Sequence, residues 1–273
     1  MRFVVIGDVM ADVVAAHDAP IARGSDTPAR TRLQGGGGGG NVAAWLAAAG
    51  GEVALVGRVG ADGLAEAALA RLSGVDLRVV RSGSTGVCVV LVGPDGERTM
   101  LPDPGANDEL READLPGELF ATGDVLYLSG YTLLRAGSRP AAQAALARAR
   151  EQDMRVVLDA ASAAPLELAP SFTTWAGAVD LLLANEDEMA VLGDRCDARE
   201  VVVKRGAGGA TWTDGSRVVD GEAATVEARD TTGAGDAFAA GFLVAWREGP
   251  ERALACGAEL ASRAVGLVGG RPG

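Results

Sequence analysis

Short, nearly continuous apolar runs alternate along this chain with alanine-rich stretches of helical length. That alternation restricts the fold more than any other feature. The runs cover residues 3–6, 52–56, 125–129, 155–159, 180–184 and 201–204. None is a strict apolar–polar alternation, so each reads as a strand covered on both faces. Residues 42–49, 63–72, 139–151, 187–192, 234–246 and 251–265 read as helices between them. Alternating strand and helix predicts an α/β fold, a Rossmann-like parallel-sheet sandwich. Functional loops then belong beyond the carboxyl ends of the strands.

Two segments break the rhythm. Residues 85–100 read as two strands joined by Pro94-Asp95-Gly96, a hairpin signal. Residues 13–33 have no helical period and offer one or two more strands. Together they suggest a small antiparallel β lid formed by 13–33 and 85–100, standing on a large α/β domain of 1–12, 34–84 and 101–273. A second hairpin over 210–219, turning at Asp214-Gly215, reads as an antiparallel edge of the main sheet.

The 273 residues suffice for one large domain with a small appended piece. Aromatics make up only 4%, so Val, Leu and Ala must fill the core. A net charge of −12 argues against nucleic acid or an anionic membrane as partner. Cys88, Cys196 and Cys256 have no CxxC spacing, and His17 is the single histidine, so neither a zinc site nor a Cys/His pair is expected. The cysteines read as free thiols of a reducing compartment, and the apolar start is too short for a signal peptide or a span. The expectation is a cytoplasmic protein.

The densest chemistry lies in Asp230-Thr-Thr-Gly-Ala-Gly-Asp236, which runs straight into the helix 234–246. Gly233, Ala234 and Gly235 leave their N–H groups unobstructed at the positive end of a helix dipole, a ready anion site. Asp236 stands beside those donors, placed to take a proton. An anion cradle next to a base suggests phosphoryl transfer to a hydroxyl. Taken alone, an acid in a first helical turn is an ordinary dipole partner, so the rest of the chain must decide. The run Gly35–Gly40 is either a hinge or a loop that admits a small polar ligand, with Asn41 as N-cap of the helix after it. Six glycines satisfy GxGxxG trivially, and Gly7-Asp8-Val9-Met10 after the first strand gives no dinucleotide fingerprint. No GxxxxGK[ST] occurs, which excludes a P-loop kinase.

Five motifs in order resemble those of the ribokinase-like (PfkB) carbohydrate kinase family. They are Gly7–Asp12 after the first strand, Gly36-Gly37 with Asn41, Asn185-Glu-Asp-Glu188, Lys204–Gly209, and Asp230–Asp236 with the helix after it. The resemblance implies an ATP-dependent sugar kinase in which Asp236 is the base and the Gly233, Ala234 and Gly235 amides hold the phosphoryl group. It implies that Asp12, Gly36, Gly37 and Asn41 bind the sugar. Lys204, Gly206, Gly209, Thr225 and Thr232 would flank the nucleotide, and Asn185 and Glu188 would steer Mg2+ through its waters. The 85–100 hairpin would exclude water, and such lids pair between subunits, so a homodimer is implied.

For several of these residues a plainer reading stands beside the implied one. Asn185 and Glu188 fit an N-cap with a first-turn acid, and Asp12 fits a solvated loop acid. Lys204 fits a strand-end surface charge, and Arg98 fits a solvent-facing lid charge as well as a contact to an acidic or phosphorylated sugar. Departures also bear on the substrate. Gly38 stands where ribokinase-type enzymes often carry Lys, and Met10 where ribose-binding members often carry Asn. The tail 267–273 lacks the Ser often found in the monovalent-cation loop, which counts against a monovalent cation beside ATP and Mg2+. A nucleoside kinase is the second reading, although the lid offers no stacking aromatic and Tyr131 would have to serve. A catalytically silent sugar- or nucleotide-binding protein is the third, and the intact Asp236 with its three donors counts against it.

Overall fold

The computed structural model describes residues 1–94, 97–224, 226 and 230–273; Thr225 and the Asp95-Gly96 part of the expected hairpin turn lie outside them. The strands are β1 (Arg2–Ile6), β2 (Met10–Ala16), β3 (Arg30–Gly36), β4 (Glu52–Val59), β5 (Val75–Arg81), β6 (Gly86–Val92), β7 (Arg98–Asp103), β8 (Val125–Ser129), β9 (Arg155–Asp159), β10 (Val179–Asn185), β11 (Ala198–Lys204), β12 (Ala210–Thr213) and β13 (Val218–Gly221). The helices are α1 (Gly38–Ala48), α2 (Ala65–Ala68), α3 (Gly130–Leu134), α4 (Arg139–Glu151), α5 (Ala163–Glu167), α6 (Phe172–Ala176), α7 (Glu186–Leu192), α8 (Ala234–Ala245) and α9 (Pro250–Val265).

Among the described residues the main sheet has nine strands in the order β13-β12-β11-β10-β9-β8-β1-β4-β5. It is parallel from β5 to β11, and the β12–β13 hairpin adds an antiparallel edge. Strand β1, third from the β5 edge, is buried on both faces. Phe3 and Val5 of β1 join a core with Trp45 of α1 and Phe242 of α8, whereas Val4 and Ile6 join one with Leu146 of α4 and Phe172 of α6. This is why the strand sequences are continuous apolar runs. The edge strand β5 reads Val-Asp-Leu-Arg-Val-Val-Arg and exposes Asp76 and Arg78.

A second, four-stranded sheet has the order β3-β2-β6-β7. Two of its pairings are antiparallel, while β2 and β6 run parallel. Its strands extend inward past the expected lid bounds, beginning at Met10 and ending at Asp103. Because β2 follows β1 directly and β3 feeds α1, this sheet is anchored at the carboxyl end of β1. Among the described residues no helix is long and apolar enough to cross a membrane.

The helix expected over 63–72 is reduced to the four residues of α2. Helix α1 starts earlier than expected, because the glycines Gly38–Gly40 are its first turn rather than a loop.

Candidate active site

Strands β9, β10 and β11 are adjacent and end on Asp159, Asn185 and Lys204. The Lys204 ammonium donates to Asp159 Oδ2 at 3.2 Å, with both side chains less than a fifth exposed. Lys204 is therefore not the surface charge that its strand-end position suggested. Burial alone would pull its pKa down, but the charges of Asp159 and Glu188 outweigh that and hold it above the ordinary lysine value.

Asn185 caps α7 in a reciprocal box. Its Oδ1 accepts from the Glu188 N–H, and its own N–H and Nδ2–H donate to Glu188 Oε2 and Oε1, all at 2.8 Å. This explains the Asn-x-x-Glu spacing structurally and faces both residues toward Lys204. Burial, and then the neighbouring Asp159 charge, raise the Glu188 carboxyl against the pull of Lys204.

Gly233 begins α8 in the left-handed conformation at φ 72°, and a Cβ there would sit 2.6 Å from Gly270 Cα. Glycine is required on both counts. The turn presents the first amides of α8, with the half-buried Asp236 in its first turn. Asp236 Oδ2 accepts from Asn41 Nδ2–H at 2.9 Å, a contact between residues 195 positions apart. Burial pushes the Asp236 carboxyl up to about 7; Asp159 and Asp12 add to the rise, while the Asn41 hydrogen bond and the Lys204 charge oppose it.

Asn41 is not the N-cap expected of it. The cap is Gly37, at φ 83°, where a Cβ would lie 2.5 Å from Asp8 O. The glycines let α1 begin against the strand end, so Asn41 falls inside the helix, buried and turned toward Asp236. Asp12 is likewise no solvated loop acid. It lies within β2, buried, and a Cβ on Gly36 would meet its carboxyl group at 2.2 Å. Burial raises the Asp12 carboxyl to about 6, against the pull of Arg271. Asp12, Gly36, Gly37 and Asn41 therefore converge on one wall beside Asp236.

A cavity of about 530 Å³ opens on the other side of Asp236, lined by Asn185, Glu188, Lys204, Gly206, Gly209 and the Gly233–Gly235 turn. Thr231 lines it, whereas Thr232 turns to the small sheet and accepts a hydrogen bond from Arg98 Nη1. Thr225 lies outside the described residues. Arg98, on β7, is not solvent-facing: its guanidinium also meets Asp230 Oδ1 at 3.0 Å and joins the small sheet to the turn before α8. Burial would raise the Asp230 carboxyl, but hydrogen bonds from Thr232 and the Gly269 N–H, with the Arg98 charge, carry it below the usual range.

Three participants escaped the sequence reading. Asp159 closes an ordinary strand and carries no motif. Asp8, read only as part of its motif, forms a bidentate pair with Arg135 at 2.6 Å, and the guanidinium lies 5.3 Å from the centre of the Tyr131 ring. Arg271, in the tail, is 1% exposed and donates to Asn41 Oδ1 at 3.2 Å. Its one trace in the sequence is the glycine run, since a Cβ on Gly40 would stand 2.2 Å from Arg271 Nη2.

Among the described residues no three His, Cys, Asp or Glu groups stand together as a metal cage. Mg2+ does not need one, because it keeps several waters and takes one or two carboxylates with substrate phosphates. The oxygen donors of Asn185, Glu188 and Asp159 at the edge of the cavity fit that mode.

The family model of pfkB family carbohydrate kinases matches residues 2–272. An ATP-dependent ribose-1-phosphate kinase of Halopiger xanaduensis is 36% identical over 96% of this chain and 93% of its own. The adenosine kinase of Sinorhizobium meliloti superimposes with a TM-score of 0.84 at 24% identity, over 99% of this chain and 95% of its own. A structure provisionally named ribokinase II from E. coli, solved with ATP and Mg2+, gives 0.82 at 21% identity, over 98% of this chain and 94% of its own. The two structures share the fold; the family match and the Halopiger relative carry the conclusion that this chain belongs to the pfkB family of carbohydrate kinases.

Proposed function

We propose that this protein transfers the γ-phosphoryl group of ATP to a sugar hydroxyl, with Asp236 as the base. The observation that carries this reading is the Asp236 carboxylate. It is held by Asn41, raised to about 7, and set in the first turn of α8 between the Asp12 wall and the cavity. A base poised near neutral pH serves proton abstraction best.

The acceptor lies against Asp12, Gly36, Gly37 and Asn41, with its reacting hydroxyl at Asp236. ATP occupies the cavity over Gly206 and Gly209, its γ-phosphate at the Gly233–Gly235 amides. As the acceptor oxygen bonds to phosphorus, its proton passes to Asp236, the bond from phosphorus to the bridging oxygen breaks, and ADP leaves. The amides meet the charge on the transferring group. Asn185 and Glu188 would hold Mg2+ through its waters, and the ion would supply charge neutralisation at the polyphosphate. The lid excludes water when Arg98 grips the anion turn.

The relation to the Halopiger enzyme makes ribose-1-phosphate the first acceptor to examine. We read the protein as cytoplasmic, in keeping with its free cysteines and acidic surface. We also read it as a homodimer through the lid, whose strands expose Leu33, Met100 and Leu101 by more than half.

The test is ADP release coupled to product identification. The enzyme is given Mg-ATP with ribose-1-phosphate, free pentoses and hexoses, keto-deoxy acids or nucleosides, with Asp236→Asn as control. Turnover on a sugar, lost in the control, is expected. Turnover on nucleosides alone would replace sugar by nucleoside in this reading, and ATP binding without transfer to any acceptor would contradict it.

A further inference from the structure

The C-terminal tail folds beneath the glycine turn and buries one guanidinium there. Arg271 Nη1 donates to Ala68 O at 2.7 Å and Ala70 O at 2.6 Å, Nη2 donates to Gly36 O at 2.5 Å, and Nε donates to Asn41 Oδ1 at 3.2 Å. The chain is built around this group. Gly35 and Gly40 have no room for a Cβ because the guanidinium stands 2.5 and 2.2 Å from where each would be. Trp45 Nε1 holds the tail in place through Gly270 O at 2.9 Å.

The consequence falls on Asn41. A guanidinium has donors and no acceptor, whereas a carboxylate has acceptors and no donor. An amide placed between them fits in one orientation, oxygen to Arg271 and nitrogen to Asp236. The flipped amide would set its NH2 against the guanidinium and its oxygen against the carboxylate, breaking both bonds. Arg271 thus decides which face Asn41 shows to Asp236, without touching Asp236 itself.

We propose that Arg271 is a positioning residue for phosphoryl transfer, fixing the orientation of the Asp236 carboxylate through the Asn41 amide. The inference rests on the reading of Asp236 as the base. Without the guanidinium, the Asn41 oxygen loses its partner, the amide is held by Asp236 alone, and Asp236 is left with a less firmly fixed donor. The carboxylate then leaves its reactive geometry and holds its proton to higher pH. The other groups facing Asp236 are Asp159 on β9, Lys204 on β11, Asp12 on β2 and Tyr127 on β8, with the charge of Arg271 itself felt at longer range, and none of them replaces that donor.

The test is a double-mutant cycle with Arg271→Gln and Asn41→Ala, followed in kcat, in KM for ATP and in the acid limb of the pH profile. Asp236→Asn is the reference. Arg271→Gln is expected to lower kcat roughly 10- to 100-fold, the cost of a misplaced reacting group. KM for ATP should stay within about twofold and the acid limb should move to higher pH. In the Asn41→Ala background the same change should cost nothing further. Independent, multiplying losses would overturn the inference while leaving Asp236 as base, and so would a kcat unaffected by Arg271→Gln. Full turnover by Asp236→Asn would overturn both. Should Arg271→Gln fail to fold, Arg271→Lys keeps the charge and bonds to the carbonyls but cannot also reach Asn41; the same split between kcat and KM is expected, and its absence overturns the inference.

Discussion

Lys204 Nζ lies 3.2 Å from Asp159 Oδ2, so the ends of two strands separated by one neighbour are tied across the floor of the cavity. Glu188 and Asp236 feel the same ammonium. Lys204→Met leaves these carboxylates without their cation. Removing one partner of a buried pair costs roughly 3–5 kcal/mol, and the slight exposure here places the loss near the lower figure. Because Glu188 and Asp236 already hold protons more tightly than in the unfolded chain, the variant should regain stability as pH falls from 7 toward 5. Thermal unfolding across pH checks this, and adding Asp159→Asn should recover part of the loss.

Glu188→Gln separates the cap from the metal. Gln keeps the cap's backbone acceptor and removes a carboxylate whose charge is already disfavoured by burial, so the melting temperature should hold within a few degrees. The Mg2+ concentration giving half-maximal rate should rise roughly tenfold or more. A magnesium titration at saturating ATP reads it directly.

Gly233→Ala adds a Cβ at positive φ and 2.6 Å from Gly270 Cα. The left-handed conformation alone costs roughly 1–2 kcal/mol, and the overlap adds to it. Stability should fall by more than about 2 kcal/mol in denaturant titration. Activity should fall further than that, since the α8 amides move with the turn.

Arg98→Gln removes the bond between β7 and the anion turn at Asp230 and Thr232. A partly buried charge-assisted contact of this kind contributes about 1.5–3 kcal/mol. Amide exchange in β6 and β7 should accelerate roughly tenfold or more, with α8 unchanged. Hydrogen exchange with mass spectrometry, without ligand, is the measurement.

What the sequence discloses follows how local each feature is. Strands buried on both faces announce themselves, and 125–129 and 155–159 coincide with β8 and β9 to the residue. Strand β5 is missed because Asp76 and Arg78 interrupt its apolar run at an exposed edge. Asn41 resembles an N-cap because a glycine run usually signals a loop. Here the glycines enter the helix, since the Asp8 carbonyl passes too close to Gly37 for any side chain. Arg271 and Asn41 are 230 positions apart, and no local pattern marks either as the other's partner. Arg98 reads as a lid charge for the same reason: its partners lie 132 and 134 positions away.

The most direct measurement is the pH dependence of kcat/KM for wild type and Asp236→Asn on one phosphorylated acceptor. The wild-type rate should climb through an apparent pKa near 7 as Asp236 loses its proton, then level off. Asp236→Asn should fall by roughly three orders of magnitude and lose that limb, with ATP affinity within a few-fold of wild type. A variant that keeps a tenth or more of the rate, or that titrates along the same limb, would contradict Asp236 as the base.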